Sequence, residues 1–261
     1  LARAYTGRDT VLTCGYHGWL NSMGEGVPVA TRATYRALPW GDAEPYADAL
    51  KLEPIAAVSV ACAYAEVERG DPFLAELRVL TEQSGALLIF DEIVTGFRLD
   101  RAGAQGYFGV VPDLAVFAKG MSNGVPLSCY AGRREVMELA ERASISSTFG
   151  GDTLGLAAAQ AVLDVYEAED VVAGLWARGK KIQKEFNQHC ARLGIAAELR
   201  GLPPMAQWVF ADNCFQDFNA EVLKRGLIVF SVCYPSFAHG AADLDEALTA
   251  MGEALAVLAA G

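Results

Sequence analysis

Three almost unbroken apolar stretches, at residues 55–63, 86–90 and 113–118, limit the folds open to this chain. A strand on a half-exposed sheet alternates apolar and polar side chains. A continuous apolar run of this length instead suits a strand covered on both faces, as in a parallel sheet flanked by helices. The segments between the runs agree. Residues 71–84 read as a helix, with Asp71 able to cap it, Pro72 in the first turn, and Phe73, Leu74, Leu77 and Leu80 on one face. Gly85 stops it. Residues 127–131 read as a further strand and 134–142 as a helix. Strand and helix in alternation predict an α/β layer architecture.

From about residue 152 the texture changes. An Ala-rich helix over 153–167 leads into a second over 171–193, with Val171, Leu175, Trp176, Ile182 and Phe186 at helical spacing. Shorter segments follow: 196–201, 205–211, a helix through Phe218, Val222 and Leu223, a strand over 227–232 and a last helix over 244–258. The expected organisation is a large α/β domain over 1–160 with a mostly parallel sheet, and a smaller C-terminal α+β domain over 161–261.

Composition excludes several functions. The 261 residues carry 21 Lys+Arg and 32 Asp+Glu, a net charge of −11, which argues against a phosphate-backbone partner. The one dense basic stretch, 178–184, keeps helical apolar spacing and reads as a solvated helix face. No apolar run is long enough for a membrane span, and residues 1–8 do not read as a signal peptide. The six cysteines are scattered with no C-x-x-C pair, and only three histidines are present, so no metal site is expected. Reduced thiols in a cytoplasmic protein are the plain reading.

Chemistry concentrates at two points. Asp91 and Glu92 follow directly on the 86–90 run, and Lys119 follows directly on 113–118. Charged residues at the C-terminal ends of parallel strands lie on the edge where open α/β sheets bind ligands. The 28-residue gap between Asp91 and Lys119 accommodates a crossover. The pair is then either a salt bridge between strand ends or an acid and an amine facing one cleft. Lys119 stands between apolar Phe117-Ala118 and the segment 120–124, which predicts a desolvated amine suited to Schiff-base chemistry. A carboxylate opposite a pyridinium nitrogen is the partner that a pyridoxal ring needs to act as an electron sink.

At these residues the chain resembles the class III aminotransferases of the fold-type I pyridoxal 5'-phosphate (PLP) enzymes, near the glutamate-1-semialdehyde aminomutase branch. The resemblance rests on Tyr16-His17-Gly18-Trp19, Leu52-Glu53-Pro54-Ile55, the run from Leu87 to Arg98 (LLIFDEIVTGFR), Gly103-Ala104-Gln105, Pro112-Asp113-Leu114, Ala118-Lys119-Gly120 and Ser147-Thr148-Phe149-Gly150-Gly151. It implies a PLP-dependent transaminase that moves an amino group from a small-molecule donor to a keto or aldehyde acceptor through a Lys119 Schiff base. An aminomutase, or a shortened non-catalytic homologue, is the alternative. It further implies that Asp91 pairs with the pyridine nitrogen, Ile93 packs on one ring face and Tyr16 stacks on the other. His17 neighbours Tyr16, either at the cofactor or packed beneath the loop. Thr148 binds the phosphate across a homodimer interface. Glu92 reads as structural, bonded to backbone or Arg98. Glu53 reads either as pocket lining or as a turn carboxylate.

The pattern breaks in two places. The family's Gly-Ser/Thr phosphate loop belongs upstream of residues 1–8, so the chain reads as shortened at its N-terminus. Val60-Ala61-Cys62-Ala63-Tyr64 stands where relatives carry a Gly/Asn-rich loop, which leaves substrate identity open.

Overall fold

The computed structural model describes residues 1–18, 24–143, 145–211 and 214–260. Trp19 of the Tyr-His-Gly-Trp motif lies outside them. The chain divides into two compact units, 1–63 with 69–168, and 64–68 with 169–261.

The first unit is built on six described strands: β1 (Thr10–Cys14), β2 (Tyr35–Ala37), β3 (Ile55–Ala61), β4 (Leu87–Asp91), β5 (Leu114–Phe117) and β6 (Cys129–Gly132), in the order β2-β1-β3-β4-β5-β6. Pairing is parallel from β2 through β5, and only β6 runs antiparallel, on the edge beside β5. The helices are α1 (Ala2–Thr6), α2 (Val29–Arg32), α3 (Glu44–Leu52), α4 (Gly70–Ser84), α5 (Ala104–Phe108), α6 (Arg134–Met137) and α7 (Thr153–Ala168). Helix α4 begins one residue before the expected start. Its N-cap position is Arg69, and Asp71 lies in the first turn, where a carboxylate still complements the helix dipole, instead of capping.

The α3–α4 layer covers one face of the sheet. Leu12, Val58, Leu88 and Phe90 point into it and meet Tyr46, Phe73, Leu74 and Leu77. At roughly 1.5–3 kcal/mol per buried large apolar side chain, this cluster is the main stabilising core of the unit. The other face is covered only in part. Ala57, Leu87 and Leu114 pack on Val136 with Ile89 half-buried against them, whereas Ser59 and Val116 line a cavity that Ile89 and Leu114 also border. The expectation that 86–90 is covered on both faces therefore holds for its beginning and fails towards its C-terminal end.

The sheet's N-terminal edge is tied by Asp113. Its buried carboxylate accepts from Leu88 N at 2.8 Å, Arg78 Nη2 at 3.0 Å and Arg133 Nη1 at 2.9 Å. Burial alone would raise its pKa. The bonds from Arg133, Leu88 and Arg78 outweigh burial and hold it below the ordinary 3.8.

The second unit packs α8 (Val171–Leu193), α9 (Phe215–Lys224) and α10 (Ala241–Ala260) against the antiparallel pair β7 (Ala197–Arg200) and β8 (Gln207–Phe210). Its core gathers Phe186, Trp208, Phe218, Leu248, Met251 and Leu255, with the Phe186 and Trp208 rings 4.8 Å apart. Asp170 caps α8 through Ala173 N at 3.2 Å, and Gly194 ends it at φ 69°. The strand expected over 227–232 is not formed. Leu227 and Val229 do pack inward, but only Val232 makes a bridge, to Gln207, so no ladder develops.

Candidate active site

Four parallel strands, β1, β3, β4 and β5, end on one edge, and the candidate residues leave from three of them. The chain turns after β1 at Gly15, with φ 83° and so little room that a Cβ would stand 2.2 Å from Ala61 O. Only glycine fits both demands. This close passage carries Tyr16 and His17 over the sheet edge towards β4.

There His17 Nδ1 meets Asp91 Oδ2 at 2.9 Å, and Ile93 N donates to Asp91 Oδ1 at 3.1 Å. Both oxygens of the carboxylate are therefore held, one by a side chain and one by the backbone. A carboxylate only accepts, so Nδ1 carries the hydrogen of this bond. His17 Nε2 is buried without a partner among the described residues.

Tyr16, His17, Asp91 and Ile93 all line one cavity of about 670 Å³, which runs back over the open sheet face past Ser59 and Tyr130. More than half of Tyr16 is exposed, so a ring face is available there. Ser59 and Tyr130 escaped the sequence reading. Ser59 did carry a signal, as the one polar residue within the apolar run 55–63.

Lys119 does not line this cavity. Asp91 pairs with Val116 in the β4–β5 ladder, and Lys119 lies three residues beyond Val116 on the same edge. The expected desolvation is not found. The chain leaves β5 in a 3₁₀ turn, Lys119–Met121, and the lysine is exposed, with no hydrogen bond or ion pair to its ammonium among the described residues. The salt-bridge alternative also fails, because Asp91 is engaged by His17 and Ile93. Lys119 has φ 45°, one of three non-glycine residues in the left-handed region among those described, with Phe97 and Asn123. Such backbone costs about 1–3 kcal/mol and is found where a structure over-determines it.

Glu92 is held by its surroundings, largely by the backbone, as a structural residue would be. It is buried, and it accepts from Thr95 Oγ1, Ala104 N at 2.8 Å and Gln105 N at 3.0 Å. Burial pushes its carboxyl pKa up, against the pull of those bonds. A Cβ on Gly103 would fall 2.3 Å from Glu92 Oε2, so the glycine lets α5 close on the carboxylate. Glu53 is not at the site. It precedes β3, on the opposite edge of the sheet, and pairs with Arg36 at 2.6 Å. Thr148 is exposed in the segment before α7 and does not line the cavity.

Residues 49–255 match the class-III aminotransferase family, 207 of the 261 positions. This chain belongs to the class-III aminotransferase family. Among similar proteins, the glutamate-1-semialdehyde 2,1-aminomutase of Thermomicrobium roseum is 33% identical, with all of this chain and 71% of that protein aligned. The 2'-deamino-2'-hydroxyneamine transaminase of Streptomyces kanamyceticus is 32% identical over 97% of this chain and 67% of its own length. The structure of the PLP internal aldimine form of the FumI protein of Sphingopyxis sp. MTA144 superposes with TM-score 0.90 at 27% identity. That match covers 98% of this chain but 66% of the other, so this chain spans just under two thirds of that relative. The α/β architecture with a mostly parallel sheet is that of the FumI structure and of a transaminase solved with PLP bound, which superposes with TM-score 0.88 at 21% identity.

Proposed function

We propose that the cavity beside Asp91 receives the pyridine ring of PLP and that this chain supplies the acid and the lysine of an amino-group transfer. The reading rests above all on the Asp91 carboxylate, pinned through both oxygens at the end of a parallel strand and facing a cavity. The residues present fit the cofactor's ring end. Asp91 offers an anion for the ring nitrogen, the Tyr16 face and Ile93 flank it, and Lys119 keeps an amine unpartnered among the described residues on the same edge. Thr148 is assigned to the phosphate, from the neighbouring subunit of a homodimer. All of these groups fall within residues 1–160.

Bound PLP supplies an electron sink for the pair left when a Cα–H bond of the amino donor breaks. Asp91 keeps a proton on the pyridine nitrogen, and His17 holds Asp91 in place through its Nδ1–H. Tyr16 and Ile93 confine the ring from its two faces. Lys119 Nζ would hold the cofactor through its aldehyde carbon and, once freed by the donor amine, would serve as the base that moves the donor's Cα proton. The same proton moves in reverse would serve a keto or aldehyde acceptor in a transamination. A second reading is favoured by the similarity to several glutamate-1-semialdehyde 2,1-aminomutases, in which the same proton moves would shift nitrogen between neighbouring carbons of one molecule. Among the described residues, no helix is long and apolar enough to cross a membrane. A cytoplasmic location belongs to this proposal.

Incubation with PLP, an amino donor and a keto acid tests it. The expected result is a new amino acid derived from the acceptor, lost on Asp91→Asn substitution. Isomerised donor without acceptor turnover would select the aminomutase. Neither product from a chain that retains PLP would overturn the transfer chemistry.

A further inference from the structure

Phe97 and Lys119 stand on neighbouring turns at the edge of the sheet, and both hold left-handed backbone, at φ 60° and 45°. The two turns touch. A Cβ placed on Gly120 would meet Phe97 Cβ at 3.4 Å and Gly96 O at 3.7 Å. Phe97 is therefore the wall against which the lysine turn rests. The lysine turn also has ties of its own: Asn123 N donates to Lys119 O at 2.9 Å and Met121 N to Ala118 O at 3.1 Å, Ser122 Oγ donates to Val125 O at 2.5 Å, and Met121 is buried with its sulfur 3.5 Å from Cys129 Sγ.

What fixes Phe97 comes from α7. Tyr166 donates its hydroxyl to the Phe97 carbonyl and sets its ring edge-on to the Phe97 ring, centroids 5.6 Å apart. Phe117, two residues before Lys119, also meets the Phe97 ring edge-on, at 6.2 Å. Arg101 in turn donates to the Tyr166 carbonyl. Burial raises the Tyr166 pKa, so the hydroxyl remains a donor at neutral pH. A non-glycine residue in the left-handed region relaxes unless something holds it. Here a phenol anchors its carbonyl and two rings meet its side chain edge-on.

We propose that Tyr166 is a positioning residue for Lys119: through Phe97 it fixes the backbone turn from which the lysine side chain projects. The consequence for catalysis rests on the cofactor reading given above, while the mechanical coupling does not. A lysine that must hold a cofactor, release it and then carry a proton needs a fixed base under a mobile side chain. Tyr166 supplies that base without touching cofactor or substrate.

The test compares the wild-type chain with Tyr166→Phe, which removes the hydroxyl alone, and Phe97→Leu, which removes the ring. Peptide-resolved hydrogen exchange over 117–123 reads the turn without PLP. Tyr166→Phe is expected to exchange about tenfold faster there, the loss of one hydrogen bond's restraint, and Phe97→Leu faster too through the lost ring contacts, with α4 and the thermal midpoint nearly unchanged in both. With PLP added, the pH midpoint of the absorbance band of the lysine-bound cofactor is expected to move in both variants, while Lys119 remains the attached residue. In the transfer reaction kcat falls and KM holds. Unchanged exchange over 117–123 together with an unchanged pH midpoint would overturn the role of Tyr166 and leave the cofactor reading standing. Faster exchange in a chain whose Lys119 never takes up PLP would overturn the cofactor reading and sustain the mechanical link.

Discussion

His17 Nδ1 lies 2.9 Å from Asp91 Oδ2, so the residue that follows Tyr16 on the β1 turn orients the carboxylate that ends β4. The bond joins two segments 74 residues apart and depends on the tight passage of Gly15 over Ala61. It makes His17 part of the acid's support, beyond any packing role beneath the loop.

Asp91→Asn keeps the size of the side chain and removes its charge. A neutral amide cannot hold a proton on a pyridine nitrogen, so turnover is expected to fall by about a hundredfold or more. Cofactor attachment at Lys119 should survive. Steady-state kinetics beside an absorbance titration with PLP measure the two effects separately, and near-normal turnover would contradict the electron-sink role.

His17→Phe keeps an aromatic ring and removes the bond to Asp91. Among the described residues the carboxylate then retains Ile93 N. Turnover should fall by roughly tenfold, the loss of one charge-assisted bond, which is less than for Asp91→Asn. The double variant should be no worse than Asp91→Asn alone, because the histidine acts through the acid. Equal and additive losses would assign His17 a separate task.

Gly15→Ala tests the crossing itself. The added methyl would overlap Ala61 O and occupy a left-handed conformation. The expected loss is about 2–5 kcal/mol, from overlap and backbone strain together. Denaturant unfolding checks it. A variant of wild-type stability that binds PLP normally would show that the close approach is not needed.

Asp113 ties the opposite edge, and its effect is pH-dependent. Its pKa is lowered in the folded chain, so its stabilisation is present above the ordinary value of 3.8 and is lost as pH falls through the lower folded value. Asp113→Asn should cost about 3–5 kcal/mol at pH 7 by leaving Arg78 without its buried partner. The difference from wild type should shrink in acid, as read by urea unfolding at several pH values.

Much of this site was legible in the residues, for a definite reason. Unbroken apolar runs locate parallel strands, and the first charged residue after two of the three runs stands on the candidate edge, which is how Asp91 and Lys119 emerge. The same logic fails where direction matters. Glu53 also borders a strand, but at its start, and so lies on the wrong edge. The His17–Asp91 bond depends on the neighbouring register of β1, β3 and β4, which local pattern does not carry. Apolar neighbours in sequence predict a desolvated Lys119, whereas in the fold the residue sits exposed on a left-handed turn. Residues 227–232 show the converse: good strand sequence without a ladder partner remains irregular.

The central claim is that Lys119 carries the cofactor. Borohydride reduction of the chain incubated with PLP, followed by peptide mass analysis, tests it most directly. The account predicts one stable phosphopyridoxyl adduct, on the peptide containing Lys119, absent in Lys119→Ala. An adduct on another lysine, or none on a folded chain, would contradict it.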